Sequence, residues 1–160
     1  MIQLIRQIDI LPIIECYNTL EKQISWTEFG HKGKQAGLQH CTGEDCWTSA
    51  VGKGYGDQTR YNNLNPTFLN SIFEELINEF SMFRTRLMWV GPFSCYSMHS
   101  DLTPRIHIPI FSNPECYFVF KKGIISHLHV GAVYRTNTLE KHTFINCSDF
   151  PRLHLVGCIQ

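Results

Sequence analysis

The stretch "TRLMWVGPFSCYSMHSDLTPRIHIPIF", residues 85 to 111, decides how the chain is read. It holds three short runs, "TRLMWVG", "FSCYSMHSD" and "RIHIPIF", each punctuated by Gly, Pro, Asp or Ser. Runs this short, rich in β-branched, aromatic and long apolar residues, have the composition of strands rather than helices. Five more follow: "CYFVFKK", "ISHLHVG", "AVYRTN", "HTFINCS" and "RLHLVGCI". Eight short strands at this spacing predict a β-sandwich or jelly roll.

Upstream the pattern changes. Residues 65 to 83, "NPTFLNSIFEELINEFSMF", predict a helix. Asn65 can cap it, Pro66 suits its first position, and Phe68, Leu69, Ile72, Phe73, Leu76, Ile77 and Phe80 recur at helical spacing. Glu74, Glu75 and Glu79 mark the wet face, so the helix should pack on a sheet. Residues 30 to 63 are rich in Gly and polar residues and predict a loop, with one strand near "AGLQHC". That is too long for an idle connector, which points to a lid or rim. A helical turn is expected around "IIECYNTLEKQI". The expectation is thus a mainly β chain with a few helices, one domain over residues 1–160. In it, 1–83 form an N-terminal helix and loop region serving as a substrate rim. Residues 84–160 form the core, a double-stranded β-helix (jelly roll, cupin-like) with at least one helix on the outer sheet.

Bulk composition narrows the function classes. A chain of 160 residues with 43% apolar and 18% charged residues has enough core for one globular domain. A net charge of zero argues against nucleic-acid binding through a basic surface. No stretch approaches eighteen uninterrupted apolar residues, so no membrane span is expected. The opening "MIQLIRQIDILPII" is interrupted by Arg6 and Asp9 and shows no small-residue cleavage site. Seven cysteines, an odd number, then predict a reducing, cytoplasmic setting with free thiols. The cluster "HCTGEDC" (His40, Cys41, Cys46) lacks a second ligand pair at finger-like spacing and reads as a loop with two thiols rather than a zinc site.

The chemistry-bearing residues lie on the strand runs. Side chains alternate faces along a strand, so His99 and Asp101 project the same way if the strand continues to Asp101. A His-x-Asp pair builds a poor apolar core, because a buried carboxylate needs a partner. It supplies two legs of a metal site well, and His142, on a later run, is the candidate third leg. Two imidazoles and one carboxylate form the facial triad of non-haem Fe(II) oxygenases, leaving positions for O2 and a bidentate 2-oxo acid. The far carboxylate of such an acid is best held by an arginine fork, and Arg152 lies on the last run. Arg105 and His107 alternate on the third run and can meet the metal-side end. His127 and His129 also alternate on one face but have no accompanying carboxylate, and His154 shares a face with Arg152. Trp26, Trp47 and Tyr55 are candidates for a substrate wall, a role set against ordinary core packing.

The order "RLMWVGPFSCYSMHSD…RIHIPI…GAVYRTN…H…N…PRLHL" resembles the aspartyl/asparaginyl β-hydroxylase-like branch of the Fe(II)/2-oxoglutarate-dependent dioxygenases. The resemblance covers about residues 84 to 157. It rests on His99-x-Asp101, Arg105-x-His107-x-Pro109, Gly131 with Tyr134 and Asn137, His142, and then Arg152. It implies that His99, Asp101 and His142 hold Fe(II). Arg152 would clamp 2-oxoglutarate, with Arg105 and His107 at its other end. Some members of the branch lack the carboxylate ligand, whereas this sequence keeps Asp101, and its gap from His99 to Arg105 is short for the family. The first sixty residues align with nothing in the branch. The implied activity is hydroxylation of an amino acid, peptide or protein side chain with release of succinate and CO2. The competing readings are a non-catalytic jelly-roll module that binds a small molecule, and a metal-dependent cupin enzyme indifferent to 2-oxoglutarate.

Overall fold

The computed structural model describes residues 1–30, 32–52 and 56–160. In chain order the elements are β1 (Ile2–Gln7), α1 (Leu11–Leu20), β2 (Thr27–Glu28), β3 (Gly33–Gly37), β4 (Gln39–His40), β5 (Asn63–Leu64), α2 (Ile72–Glu79), β6 (Phe83–Val90), β7 (Ser94–Cys95), β8 (Arg105–Phe111), β9 (Cys116–Phe120), β10 (Ile125–Ser126), β11 (Ala132–Thr136), β12 (His142–Asn146) and β13 (Arg152–Cys158). They build a seven-stranded sheet in the order β1-β11-β8-β13-β6-β3-β2 and a four-stranded sheet in the order β10-β9-β12-β7. All pairings in both sheets are antiparallel. The fold is a jelly roll, as the strand pattern predicts.

Alternation along the central strands explains where the core sits. Leu87 of β6, Ile106, Ile108 and Ile110 of β8, and Leu153 and Leu155 of β13 share one cluster with Ile13 of α1 and Phe73, Leu76 and Ile77 of α2. The main hydrophobic layer therefore lies between the large sheet and the helices, on the outer face. Each such side chain, fully buried, contributes roughly 1.5–3 kcal/mol. The alternate residues, Arg86, Arg105, His107, Arg152 and His154, face the smaller sheet, where Phe118, Phe120 and Phe144 form a second cluster with Tyr134 and Ala132. The space between the sheets is thus half aromatic and half cationic. Buried charges in such an interior are costly unless they find partners.

Three features differ from the sequence reading. The helix expected over 65–83 is broken. Asn65 accepts a hydrogen bond from the Thr67 amide and caps only a short 3₁₀ turn, Pro66–Phe68. Asn70 then turns left-handed at φ 56°, a conformation Asn tolerates, and its amide donates to Glu74 at 2.6 Å before α2 begins. Residues 30–63 are less of a loop than expected, because β3 pairs along β6 inside the large sheet. The N-terminal residues contribute β1, which pairs with β11 at one edge of that sheet. No helix among the described residues is long and apolar enough to cross a membrane.

Candidate metal centre and cation-lined cavity

His99 and His142 form an isolated antiparallel bridge. Each backbone amide donates to the other's carbonyl, at 2.9 Å and 2.8 Å. This fixes two residues distant in sequence side by side, with ring centroids 4.5 Å apart. The Asp101 amide donates to the Thr138 carbonyl at 2.8 Å, which brings its carboxylate to the same spot. The donor atoms of His99, Asp101 and His142 lie within 4.8 Å of one another, and they are the only such group among the described residues.

The hydrogen bonds around the triad set the imidazole tautomers. Nδ1 of His99 lies 2.7 Å from the Ser97 carbonyl, and Nδ1 of His142 lies 2.8 Å from the Glu140 carbonyl. A carbonyl oxygen only accepts, so each Nδ1 carries a proton, and the neutral form of each ring has its lone pair on Nε2. Those lone pairs face Asp101, with His142 Nε2 3.5 Å from Oδ2 and His99 Nε2 3.9 Å from Oδ1. Burial lowers the His142 pKa, against smaller upward effects of the Glu140 carbonyl and Asp101. With the rings neutral, two imidazole nitrogens and a carboxylate converge, which is the donor set of a divalent cation. Adjacent donors around an ion at about 2.1 Å stand roughly 3 Å apart. Closing the set requires an inward swing of His99, whose side chain is 40% exposed. His142 is already seated, stacked on Phe118 at 5.0 Å.

Asp101 has a second partner. Arg105 Nη2 donates to Oδ1 at 2.5 Å, and both side chains are largely buried. Oδ2 is left facing His142 Nε2. The cavity beside the triad has a volume of about 530 Å³. Its wall carries Arg84, Arg86 and Arg105 together with Gln35, Met88 and Tyr96. Arg86 is buried and pairs only with Gln35 Oε1, at 3.1 Å through Nη1; its Nε and Nη2 have no partner among the described residues. Desolvation, then the charges of Arg84 and Arg105, push its pKa well below the ordinary guanidinium value.

Arg152 lies deeper. It is 1% exposed, with its guanidinium carbon 3.6 Å from the centre of the Phe144 ring. Its Nε and Nη1 have no hydrogen-bond partner among the described residues. Burial pushes its pKa down to about 10, so it remains a cation at neutral pH. Asn146 holds this end together: its side-chain amide donates to the carbonyls of Val90, Gly91 and Phe150 and ties β12 to β6 and to the loop that delivers Arg152. Phe144 and His142 are two apart on β12, so Arg152 sits about one strand step, ~7 Å, further into the inter-sheet layer. His107 and His154 flank Phe144, with ring centroids 5.5 Å and 5.7 Å away, and neither ring has a hydrogen-bond partner among the described residues.

The structure therefore brings His99, Asp101, His142 and Arg105 together, with His99, Asp101 and Arg105 on the cavity wall and His142 behind it. Arg152 and His107 lie in the same layer but off the cavity wall. The other sequence candidates go elsewhere. Cys41 Sγ accepts from Arg60 Nε at 3.0 Å, and His40 turns to the Cys41 carbonyl, so the "HCTGEDC" donors do not converge. His127 and His129 pack ring to ring at 4.6 Å outside the triad. Trp47 packs edge-on against Phe68, and Trp26 flanks the Lys34 ammonium opposite Trp89. Tyr55 lies outside the described residues. Sequence reasoning passes over Arg84 and Arg86, although the two-residue alternation that marks His99 with Asp101 also marks them.

No protein-family model and no curated protein matches the chain. Solved structures do match by fold. One is an oxidoreductase of the 2OG-Fe(II) oxygenase family from Burkholderia pseudomallei, at 15% identity over 91% of this chain and 76% of that one, TM-score 0.60. A second is HygX from Streptomyces hygroscopicus with nickel, 2-oxoglutarate and hygromycin B bound, at 9% identity over 98% and 81%, TM-score 0.58. A third is a DMSP lyase structure (RdDddP and RnDddQII), at 12% identity over 95% and 74%, TM-score 0.50. At such identities the likeness establishes a shared fold, and this fold serves more than one chemistry.

Proposed function

We propose that the chain is an Fe(II)- and 2-oxoglutarate-dependent dioxygenase that hydroxylates a C–H bond of an amino acid, peptide or protein side chain. We further propose that it falls in the aspartyl/asparaginyl β-hydroxylase-like branch. The observation that carries the reading is the triad itself: two imidazole Nε2 lone pairs and one carboxylate oxygen, oriented by carbonyls and by Arg105, meeting beside a cavity. HygX, alike in fold, is a precedent for a metal and 2-oxoglutarate in this architecture.

In this reading His99, Asp101 and His142 hold the ferrous ion, which supplies the activation of O2 that organic side chains cannot perform. Overall, 2-oxoglutarate, O2 and a substrate C–H give succinate, CO2 and a substrate C–OH. The protein's own part is positioning. Arg105 holds Asp101 by Oδ1, and this would orient the carboxylate toward the two imidazoles for holding the ion. Arg152, buried and unpartnered among the described residues, receives the distal carboxylate of 2-oxoglutarate, with Arg105 and His107 serving the other end. Phe118 and Phe144 keep water from the inner layer. The seven free thiols support a reducing, cytoplasmic setting.

The test is anaerobic addition of Fe(II) and 2-oxoglutarate. A visible charge-transfer band is expected, absent in His99→Ala, Asp101→Ala and His142→Ala, together with succinate formation in air. Equal succinate yield in all three variants removes the proposal. A non-catalytic module using the same arginines for a small anion gives no band in the wild-type chain.

A further inference from the structure

The cavity holds more positive charge than the proposed reaction uses. Arg84 and Arg86 alternate on β6 and both reach the cavity wall beside Arg105. Among the described residues lining that wall the only carboxylate is Asp101, and Arg105 already binds it. Arg152, off the wall, accounts for the cosubstrate's far carboxylate. Arg84 and Arg86 then have no assigned anion.

Both are built for one. Arg84 is 2% exposed and sits left-handed at φ 52°, a conformation that costs energy for any residue but glycine. It coincides with a register shift where β6 meets Val156 and Cys158, a bulge that re-aims side chains. Its Nη2 donates to the Gly52 carbonyl at 2.6 Å, while Nε has no partner among the described residues. Arg86 is equally buried, and Gln35 steadies it by one nitrogen, leaving Nε and Nη2, one edge of the guanidinium fork, open. A guanidinium edge with two free N–H groups matches two oxygens of a carboxylate or phosphate. Buried cations set side by side repel each other, and an arriving anion relieves that repulsion.

We propose that Arg84 and Arg86 form a second oxyanion subsite, distinct from Arg152, that receives a carboxylate or phosphoryl group carried by the substrate. The substrate class is therefore acidic small molecules or acidic side chains. The word substrate rests on the dioxygenase reading; the subsite does not. Met88 and Tyr96 line the same wall and offer apolar contact to the remainder of the molecule.

The experiment is calorimetric titration of the full, metal-free chain with inorganic phosphate and, separately, malonate. It covers the wild type, Arg84→Gln, Arg86→Gln, Arg86→Lys and Arg152→Gln, each checked for an unchanged melting profile. Beside it runs the anaerobic Fe(II)/2-oxoglutarate band titration of the same proteins. At least one anion should bind the wild type, about tenfold or more weaker in Arg84→Gln and Arg86→Gln and within twofold in Arg152→Gln. Arg86→Lys, which keeps the charge and loses the fork, should fall between. The arm that binds tells phosphate from carboxylate. Absence of binding to the wild type, or equal affinity in the Arg84 and Arg86 variants, overturns the subsite. So does loss of 2-oxoglutarate binding in Arg86→Gln with Arg152→Gln normal, since the pair would then be the cosubstrate clamp. Failure of the dioxygenase reading looks different: no band in the wild type while anion binding still depends on Arg86.

Discussion

Asp101→Asn separates the two duties of the central carboxylate. Its Oδ1 lies 2.5 Å from Arg105 Nη2, with side chains only 12% and 8% exposed. Removing one partner of a buried pair costs about 3–5 kcal/mol, because the other charge stays buried without compensation. The amide still offers Arg105 a neutral acceptor, so the lower end applies, ~3 kcal/mol. The cost is not absorbed elsewhere, since Asp101 is the sole carboxylate among the described residues facing Arg84, Arg86 and Arg105. For a chain of this size 1 kcal/mol moves the Tm by roughly 2–4 °C, so the metal-free variant should melt about 6–12 °C lower in scanning calorimetry. A solvated strand end would behave otherwise. An exposed pair is worth 0–1 kcal/mol, a shift of at most about 4 °C. The second duty is read by Fe(II) titration. Losing a charged donor should weaken the metal by at least the ~10–100-fold that follows loss of a mere outer-shell partner. A melting shift below about 2 °C combined with unaltered iron affinity would refute both arguments, and with them the convergence of the triad.

Three further outcomes follow from the same geometry. Arg152→Gln should weaken 2-oxoglutarate binding about 10–100-fold, the worth of charge-assisted hydrogen bonds at ~1.5–3 kcal/mol, with iron affinity unchanged; the band titration reads both. His107 and His154 have pKa values driven well below the ordinary imidazole value by burial and then by the Arg152 charge. The folded chain keeps them neutral while the unfolded chain takes up protons below about pH 6.5. Stability should therefore be full above that pH and fall below it, by up to about 1.4 kcal/mol per pH unit for each imidazole, in urea midpoints between pH 7.5 and 5.5. Replacing both with Gln should flatten that slope. Gly33→Ala puts a Cβ 2.5 Å from the Phe29 carbonyl oxygen, a backbone atom at the β2–β3 turn. The strain should cost about 1–3 kcal/mol in thermal melts.

The two-residue period of a strand is a local property, and what depends on it was legible in the sequence. The pairs Arg105 with His107 and Arg152 with His154 can be read as sharing faces, and the short punctuated runs as a jelly roll. His99 and Asp101 meet for another reason: the strand expected there ends at Cys95, and the bridge to His142 and the Asp101 amide bond to Thr138 place them. Helix interruption was harder to read. The apolar spacing from Phe68 to Phe80 runs through Asn70, and only the left-handed turn there shows that one pattern spans two elements. Register and layer were decided by tertiary structure. The bridge between His99 and His142 joins segments with no local signal that they meet. The strand β3 exists because β6 offers it a backbone edge, whatever its glycine-rich composition. Which face of β6, β8 and β13 turns inward was settled by the helices, whose apolar stripes claimed Leu87, Ile108 and Leu155 and left the arginines and histidines to the space between the sheets. Sequence thus determined which side chains travel together. The competition among distant apolar surfaces for burial determined where they arrive, because that free energy belongs to contacts between segments and not to any one of them.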